Sequence, residues 1–209
     1  MTHTLHRRGD IDSLREDYVI LILQAKGVNR EGGEEKIRQV WDVLSHYKGE
    51  IINFGNSKDG NSFRTTMEAL KKEAVGYIAH AVFREPETLK ACLKELKDRD
   101  FGISVVISGL YQDAEKICSE IGLCPHTVEH SLGIHGKTEI LPHENILEIT
   151  TMCGHAMVSP NLVTHLVAEI NSGKISCEEA AKEMSGMCDC GIFNHYRAEK
   201  LLRKMTTEE

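Results

Sequence analysis

Tyr18-Val19-Ile20-Leu21-Ile22-Leu23 is an unbroken apolar run of strand length, as a strand covered on both faces requires. A loop over 26–33 leads to a helix on which Ile37, Val40, Trp41 and Leu44 share one face. Residues 50–54 read as a second, more polar strand, and 55–62 as a turn-rich loop. A short helix over 66–74 is followed by a strand at 77–83. Leu89, Cys92, Leu93 and Leu96 then mark a helix opened by Glu85-Pro86. Residues 103–107 make a fourth main strand. Ala114, Ile117, Cys118 and Ile121 align on the helix after it.

The order over 18–121 is therefore strand, helix, strand, strand, helix, strand, helix. The first and third strands are the most apolar, which suits the two central positions of a ferredoxin-like βαββαβ sheet in an α+β fold. If 66–74 is a crossover helix, the order alternates strictly, and a parallel α/β sheet is the alternative.

Past Gly122 the pattern changes to loops rich in Cys and His, followed by helices. Ser159-Pro160 opens a helix with Leu162, Val163, Leu166, Val167 and Ile170 as its stripe. Ser176-Cys177-Glu178-Glu179 has capping-box spacing, and Asn194 can cap a last helix. The expected organisation is an N-terminal arm (1–17), a ferredoxin-like domain (18–121) and a mainly helical Cys/His-rich domain (122–209).

A net charge of -7 with well-mixed signs argues against a nucleic-acid surface. No apolar run reaches membrane-spanning length, and the N-terminus lacks a secretory pattern, so neither membrane nor export is expected. A cytoplasmic location is the default. There, seven cysteines should be thiols or ligands, not bridges. They are unevenly placed: six lie between Cys118 and Cys190, and seven of the eleven histidines lie between His126 and His195.

Thiolates are soft ligands and strong nucleophiles, so the Cys-containing turns are the candidate chemistry. Cys188 and Cys190 are separated by one residue, and the amides of Gly191 and Ile192 are available to their sulfurs. Cys153 and His155 repeat that spacing. These four form an S₃N set suited to zinc. Exchanging His155 for Cys124 gives an S₄ set suited to an iron–sulfur cluster. The leading expectation is thus a metal-binding protein holding iron–sulfur or zinc, with an enzymatic role on a small molecule open. One alternative is a metal-free enzyme with Cys153 as nucleophile. Another is a regulatory module that binds a small ligand. Cys92 and Cys118 fall on apolar helical stripes and read as core, Cys177 reads as a bystander, and His80 reads as a hydrogen-bonded core residue.

His126-Thr127-Val128-Glu129-His130 matches H-x-x-E-H, which on a helix would put both imidazoles on one face with Glu129 as base. The stretch between Pro125 and Gly133 is short for that, so chance is the simpler account of the match. His130, His135 and Glu129 are candidates for proton transfer or substrate binding, with His126, His143 and Lys137 nearby in sequence. In the N-terminal arm, His3, His6, Arg7 and Arg8 read first as a frayed polar terminus; the alternative is an arm that returns to a site and offers imidazoles and guanidiniums to an anion. Neither glycine-containing loop carries a phosphate-binding signature.

Overall fold

A computed structural model describes residues 4–73 and 77–207. His3 of the arm and Ala74 of the 66–74 stretch lie outside them. In chain order the elements begin with α1 (Ile11–Leu14), β1 (Tyr18–Leu23), α2 (Gly33–His46), β2 (Ile51–Asn56) and β3 (Gly60–Asn61). Next come α3 (Met67–Glu73), β4 (Ile78–Phe83), α4 (Pro86–Arg99), β5 (Ser104–Ser108) and α5 (Tyr111–Glu120). A 3₁₀ turn (Thr138–Ile140) precedes α6 (Glu144–Thr150), α7 (Pro160–Asn171), α8 (Cys177–Met187) and α9 (His195–Thr207). No helix among the described residues is long and apolar enough to cross a membrane.

The strands form one sheet in the order β3-β2-β4-β1-β5, and every pairing is antiparallel. The parallel alternative is therefore corrected. Residues 66–74 do contain a helix, α3, but the chain turns through the short β3 first. β4 therefore returns beside β2 in the opposite direction.

Strand alternation sends Tyr18, Ile20 and Ile22 to one face, where Ala79, Ala81 and Phe83 join them against α2 and α4. Val19, Leu21 and Val82 point the other way and pack with Ile149, Met152, Val163, Met184, Phe193 and Leu202. Both faces of β1 are dry, which is why its sequence is apolar throughout. Residues 141–207 thus close on the sheet's second face.

Several local signals act as the sequence implies. Ser159 accepts the amide of Leu162 with Pro160 at the first helical position. Ser176 and Glu179 form the reciprocal capping box. Asn194 accepts the Arg197 amide at the start of α9. The α6 helix carries no comparable signal, since His143 makes no side-chain cap. Cys92 is buried in the first-face core, Cys118 is buried on α5, and Cys177 is buried on α8.

Candidate functional site

The candidate site forms where two turns of the C-terminal half meet the sheet. The turn after α6 carries Cys153 and His155, and the turn after α8 carries Cys188 and Cys190. All three of these thiols are buried, and His155 is exposed at the edge. Cys188 Sγ lies 3.8 Å from Cys190 Sγ, and Cys190 Sγ lies 3.7 Å from His155 Nδ1. Cys153 lies near enough to Cys188 for the two thiols to shift each other's acidity. The contacts run in a chain from Cys153 to His155. Among the described residues, no group of three or more His, Cys, Asp or Glu side chains is placed so that it could hold a metal ion as it stands.

Tight packing fixes the second turn. Gly191 has φ +73°, and a Cβ there would meet the Phe54 carbonyl carbon at 2.3 Å and the Gly55 nitrogen at 2.6 Å. The turn therefore rests directly on the β2 backbone, where no side chain fits. Beside it, His80 Nδ1 lies 2.8 Å from the Cys190 carbonyl oxygen. Burial pushes the His80 pKa down, and the Cys190 bond opposes this in part. The neutral His80 thus donates through Nδ1 from within the sheet, as a core histidine should.

Two asparagines missed by the sequence reading hold α8 in place. Asn61 Nδ2 donates to the carbonyls of Ser185, Gly186 and Cys188 at 3.1, 3.1 and 3.0 Å. It thereby adds a second donor to carbonyls at the C-terminal end of α8, beside the Cys188 amide, Arg64 and the Gly191 amide, and orients Cys188. Asn53 Nδ2 donates to Ser185 Oγ and the Phe193 carbonyl, both at 3.0 Å. A register shift between Ile51 and Asn53 lets Asn53 face α8. In sequence both asparagines look like turn formers. The signal that could have found them is a polar residue in or beside a strand that pairs with the most apolar part of the sheet.

Arg7 joins the two Cys turns from the arm. Its guanidinium donates to the Met152 carbonyl at 3.2 Å and to the Ile192 carbonyl, and it pairs with Asp17. Arg197 reaches the other oxygen of Asp17 at 3.2 Å. All three side chains are buried. The frayed-terminus expectation is therefore corrected for the described part of the arm: it returns to the Cys turns, though Arg7 serves the protein's own carbonyls and carboxylate.

The thiols differ in acidity. The Cys153 pKa is pushed up by the neighbouring Cys188 thiol and by burial, with the amides of Met157 and Val158 opposing. For Cys188 the neighbouring Cys153 thiol pulls down, but the bond with Cys190 and burial outweigh it and leave the thiol at about 12. For Cys190 the Cys188 bond outweighs burial, and the Ile192 amide adds to the lowering. The Ile192 amide thus serves both sulfurs of the second turn. The Gly191 amide instead donates to the Cys188 carbonyl at 3.0 Å. Buried Cys153 is held as a thiol, the opposite of what a nucleophile needs.

The remaining candidates do not join this group. Cys124 is exposed, with its Sγ 3.9 Å from the neighbouring Pro125 carbonyl oxygen. His126, Glu129, His130, His135 and His143 are exposed on the loop from 122 to 143. Residues 126–130 form no helix, so the H-x-x-E-H side chains are not brought to one helical face. His130 packs edge-on against Tyr111, His135 lies 3.0 Å from the Leu132 carbonyl oxygen, and His143 lies 2.9 Å from Asn145 Oδ1.

Comparison with known protein families, curated proteins and solved structures finds no match to this chain.

Proposed function

We propose that the protein binds a thiophilic divalent metal, zinc foremost, through Cys153, Cys188, Cys190 and His155. The carrying observation is the convergence of two Cys-containing turns, 35 residues apart in sequence, on one edge of the sheet. A tetrahedral zinc with Zn–S near ~2.3 Å has S···S edges of ~3.8 Å and S···N edges of ~3.6 Å. The separations of 3.8 and 3.7 Å match two of the six ligand edges, and the other four require the side chains to close around the ion. Two thiols in simple contact have a similar spacing, so the backbone amides on the sulfurs add weight. Met157 and Val158 on Cys153, and Ile192 on Cys188 and Cys190, stabilise thiolates, as outer-shell donors to a metal site do.

The S₄ iron–sulfur alternative needs Cys124, whose exposed loop position gives it no support. The reading keeps its original setting: seven free thiols suit a reducing compartment, with the cytoplasm as the proposed location. For the fold, the order β2-β4-β1-β5 with antiparallel pairing supports a ferredoxin-like sheet with β3 as an insertion. We read residues 141–207 as a cover for that sheet.

The test is anaerobic purification followed by elemental analysis of the wild type and single variants. Stoichiometric zinc, lost in Cys153→Ser, Cys188→Ser and Cys190→Ser but kept in Cys92→Ser and Cys118→Ser, is the expected result. Full metal content in Cys188→Ser refutes the ligand set. Iron with sulfide and broad absorption near ~400 nm would replace zinc by a cluster.

A further inference from the structure

The N-terminal arm does more than tie the Cys turns together. It forms one wall of a cavity of about 450 Å³, with the loop before α6 as the other wall. That size lies within the range of small-molecule sites. One part of the lining is polar: His6, Arg7 and Arg8, with Arg8 paired to Glu144 at the rim and Arg7 paired to Asp17 behind the wall. Another part is apolar and includes Leu5, Ile134, Leu141 and Leu147.

The arm is held in this place by contacts remote in sequence. His6 Nδ1 lies 3.0 Å from Ser131 Oγ, and the Arg8 amide donates to Thr151 Oγ1 at 3.1 Å. Arg197 donates to the Arg8 carbonyl. Gly9 lets the chain pass: at φ +148°, a Cβ there would meet Arg197 Nη2 at 2.2 Å. The cations are thus preorganised before any ligand arrives, which lowers the entropic cost of binding.

The two arginines play different parts. Arg7 is almost wholly buried and is taken up by Asp17 and the protein's own carbonyls, so it shapes the wall and leaves Arg8 to meet a ligand. Arg8 is about one-third exposed and is held at the rim by Glu144, with Nε to Oε1 and Nη2 to Oε2 both at 2.6 Å. A half-exposed ion pair of this kind is weak in water. A ligand carboxylate can replace Glu144 at the Arg8 fork, because both present the same two oxygens to the same two donors.

We propose that this cavity binds a small amphipathic carboxylate, with its head at Arg8 and His6 and its apolar body along Ile134, Leu141 and Leu147. The site is separate from the four proposed metal ligands and does not depend on the metal reading.

The experiment is isothermal titration calorimetry of the full chain as isolated, with octanoate, octylamine and inorganic phosphate as probes. Octanoate should bind saturably at one per chain, while the other two should not. Arg8→Gln should weaken octanoate roughly tenfold or more, the effect of one charge-assisted pair. Glu144→Gln should tighten it a few-fold by removing the competing carboxylate. Both residues are at the rim, so circular dichroism should be unchanged. If Arg8→Gln does not fold, Glu144→Gln and His6→Ala decide the question, His6→Ala being expected to weaken binding. No saturable octanoate binding overturns the proposal. So does equal binding of octylamine, which removes the charge argument, or of phosphate, which removes the apolar one. An Arg8→Gln or Glu144→Gln protein indistinguishable from wild type also overturns it.

Discussion

The two faces of the sheet are built from different materials. The first is an ordinary apolar core, in which Trp41 lies edge-on to Phe54 at 6.1 Å between ring centroids and Cys92 is one more small hydrophobe. The second is apolar where side chains of α7, α8 and α9 cluster with Val19, Leu21 and Val82, but it also holds buried thiols, asparagines, His80 and the Arg7–Asp17–Arg197 group. Hydrophobic burial is non-directional and tolerates repacking. Buried polar groups must each find a partner in the right geometry, and an orphan costs more than a lost contact. The first face should therefore absorb substitution gradually, and the second should fail abruptly.

The largest effect expected on the second face is at Asp17. Asp17→Asn leaves two buried guanidiniums without their shared carboxylate, which should cost on the order of 3–5 kcal/mol. Half-buried Glu148 also acts on Arg197, but Asp17 is the carboxylate that bonds both guanidiniums. Urea denaturation would measure the loss. A cost below about 1 kcal/mol would mean that the polar network adds nothing to this face, and the contrast would collapse. On the first face the corresponding control is Cys92→Ser, at roughly 1–3 kcal/mol for burying a hydroxyl.

Next in size is Gly191→Ala. Left-handed backbone costs an alanine about 1–2 kcal/mol. Collision with the β2 backbone at Phe54 adds a packing strain of roughly 1–3 kcal/mol. Gly32 has a similar φ of +67° but nothing within 4 Å of a Cβ. Gly32→Ala should therefore show the backbone part alone. Equal melting-temperature shifts for the two variants would show that the Cys turn does not rest on the sheet.

A smaller loss is expected for Asn61→Ala, which removes the donor shared by the carbonyls of Ser185, Gly186 and Cys188 and leaves each with its one other partner. We expect about 1–3 kcal/mol, with hydrogen exchange rising first at the C-terminal end of α8. Uniform exchange along α8 would contradict the assigned role.

These residues mark where sequence reading succeeds and where it stops. β1 was legible because six consecutive apolar residues need two covered faces. The α8 capping box and the Pro160 helix start were legible because both halves of each signal lie within a few residues. Cys92 and Cys188 could be told apart because one falls on a helical stripe and the other in a turn. Asn53 and Asn61 were not legible, since their partners lie 124 to 140 residues away. The histidine-rich loop misled for the opposite reason. A high local density of His and Glu looks like a site, but residues 126–130 form no helix to aim them together.

The smallest effect concerns pH. His195 opens α9, packs edge-on to Phe63 at 5.7 Å, and is mostly buried. Burial pushes its pKa below 6.5. Lys182 adds to the lowering, and Glu199 and Glu178 oppose it. The folded protein therefore binds this proton less readily than the unfolded chain does. That makes the contribution of neutral His195 fully present above pH 6.5 and progressively lost as pH falls below it. The slope from one such group is at most ~1.4 kcal/mol per pH unit, within the interval between the two pKa values. His80 is shifted in the same direction, also by burial. The informative measurement is therefore the difference between wild type and His195→Gln, in which common contributions cancel. That difference should be flat above pH 7, and between pH 6.5 and 5 it should move in favour of the variant. A difference independent of pH across that window would mean that His195 is solvated in the folded protein and that Phe63 does not shield it.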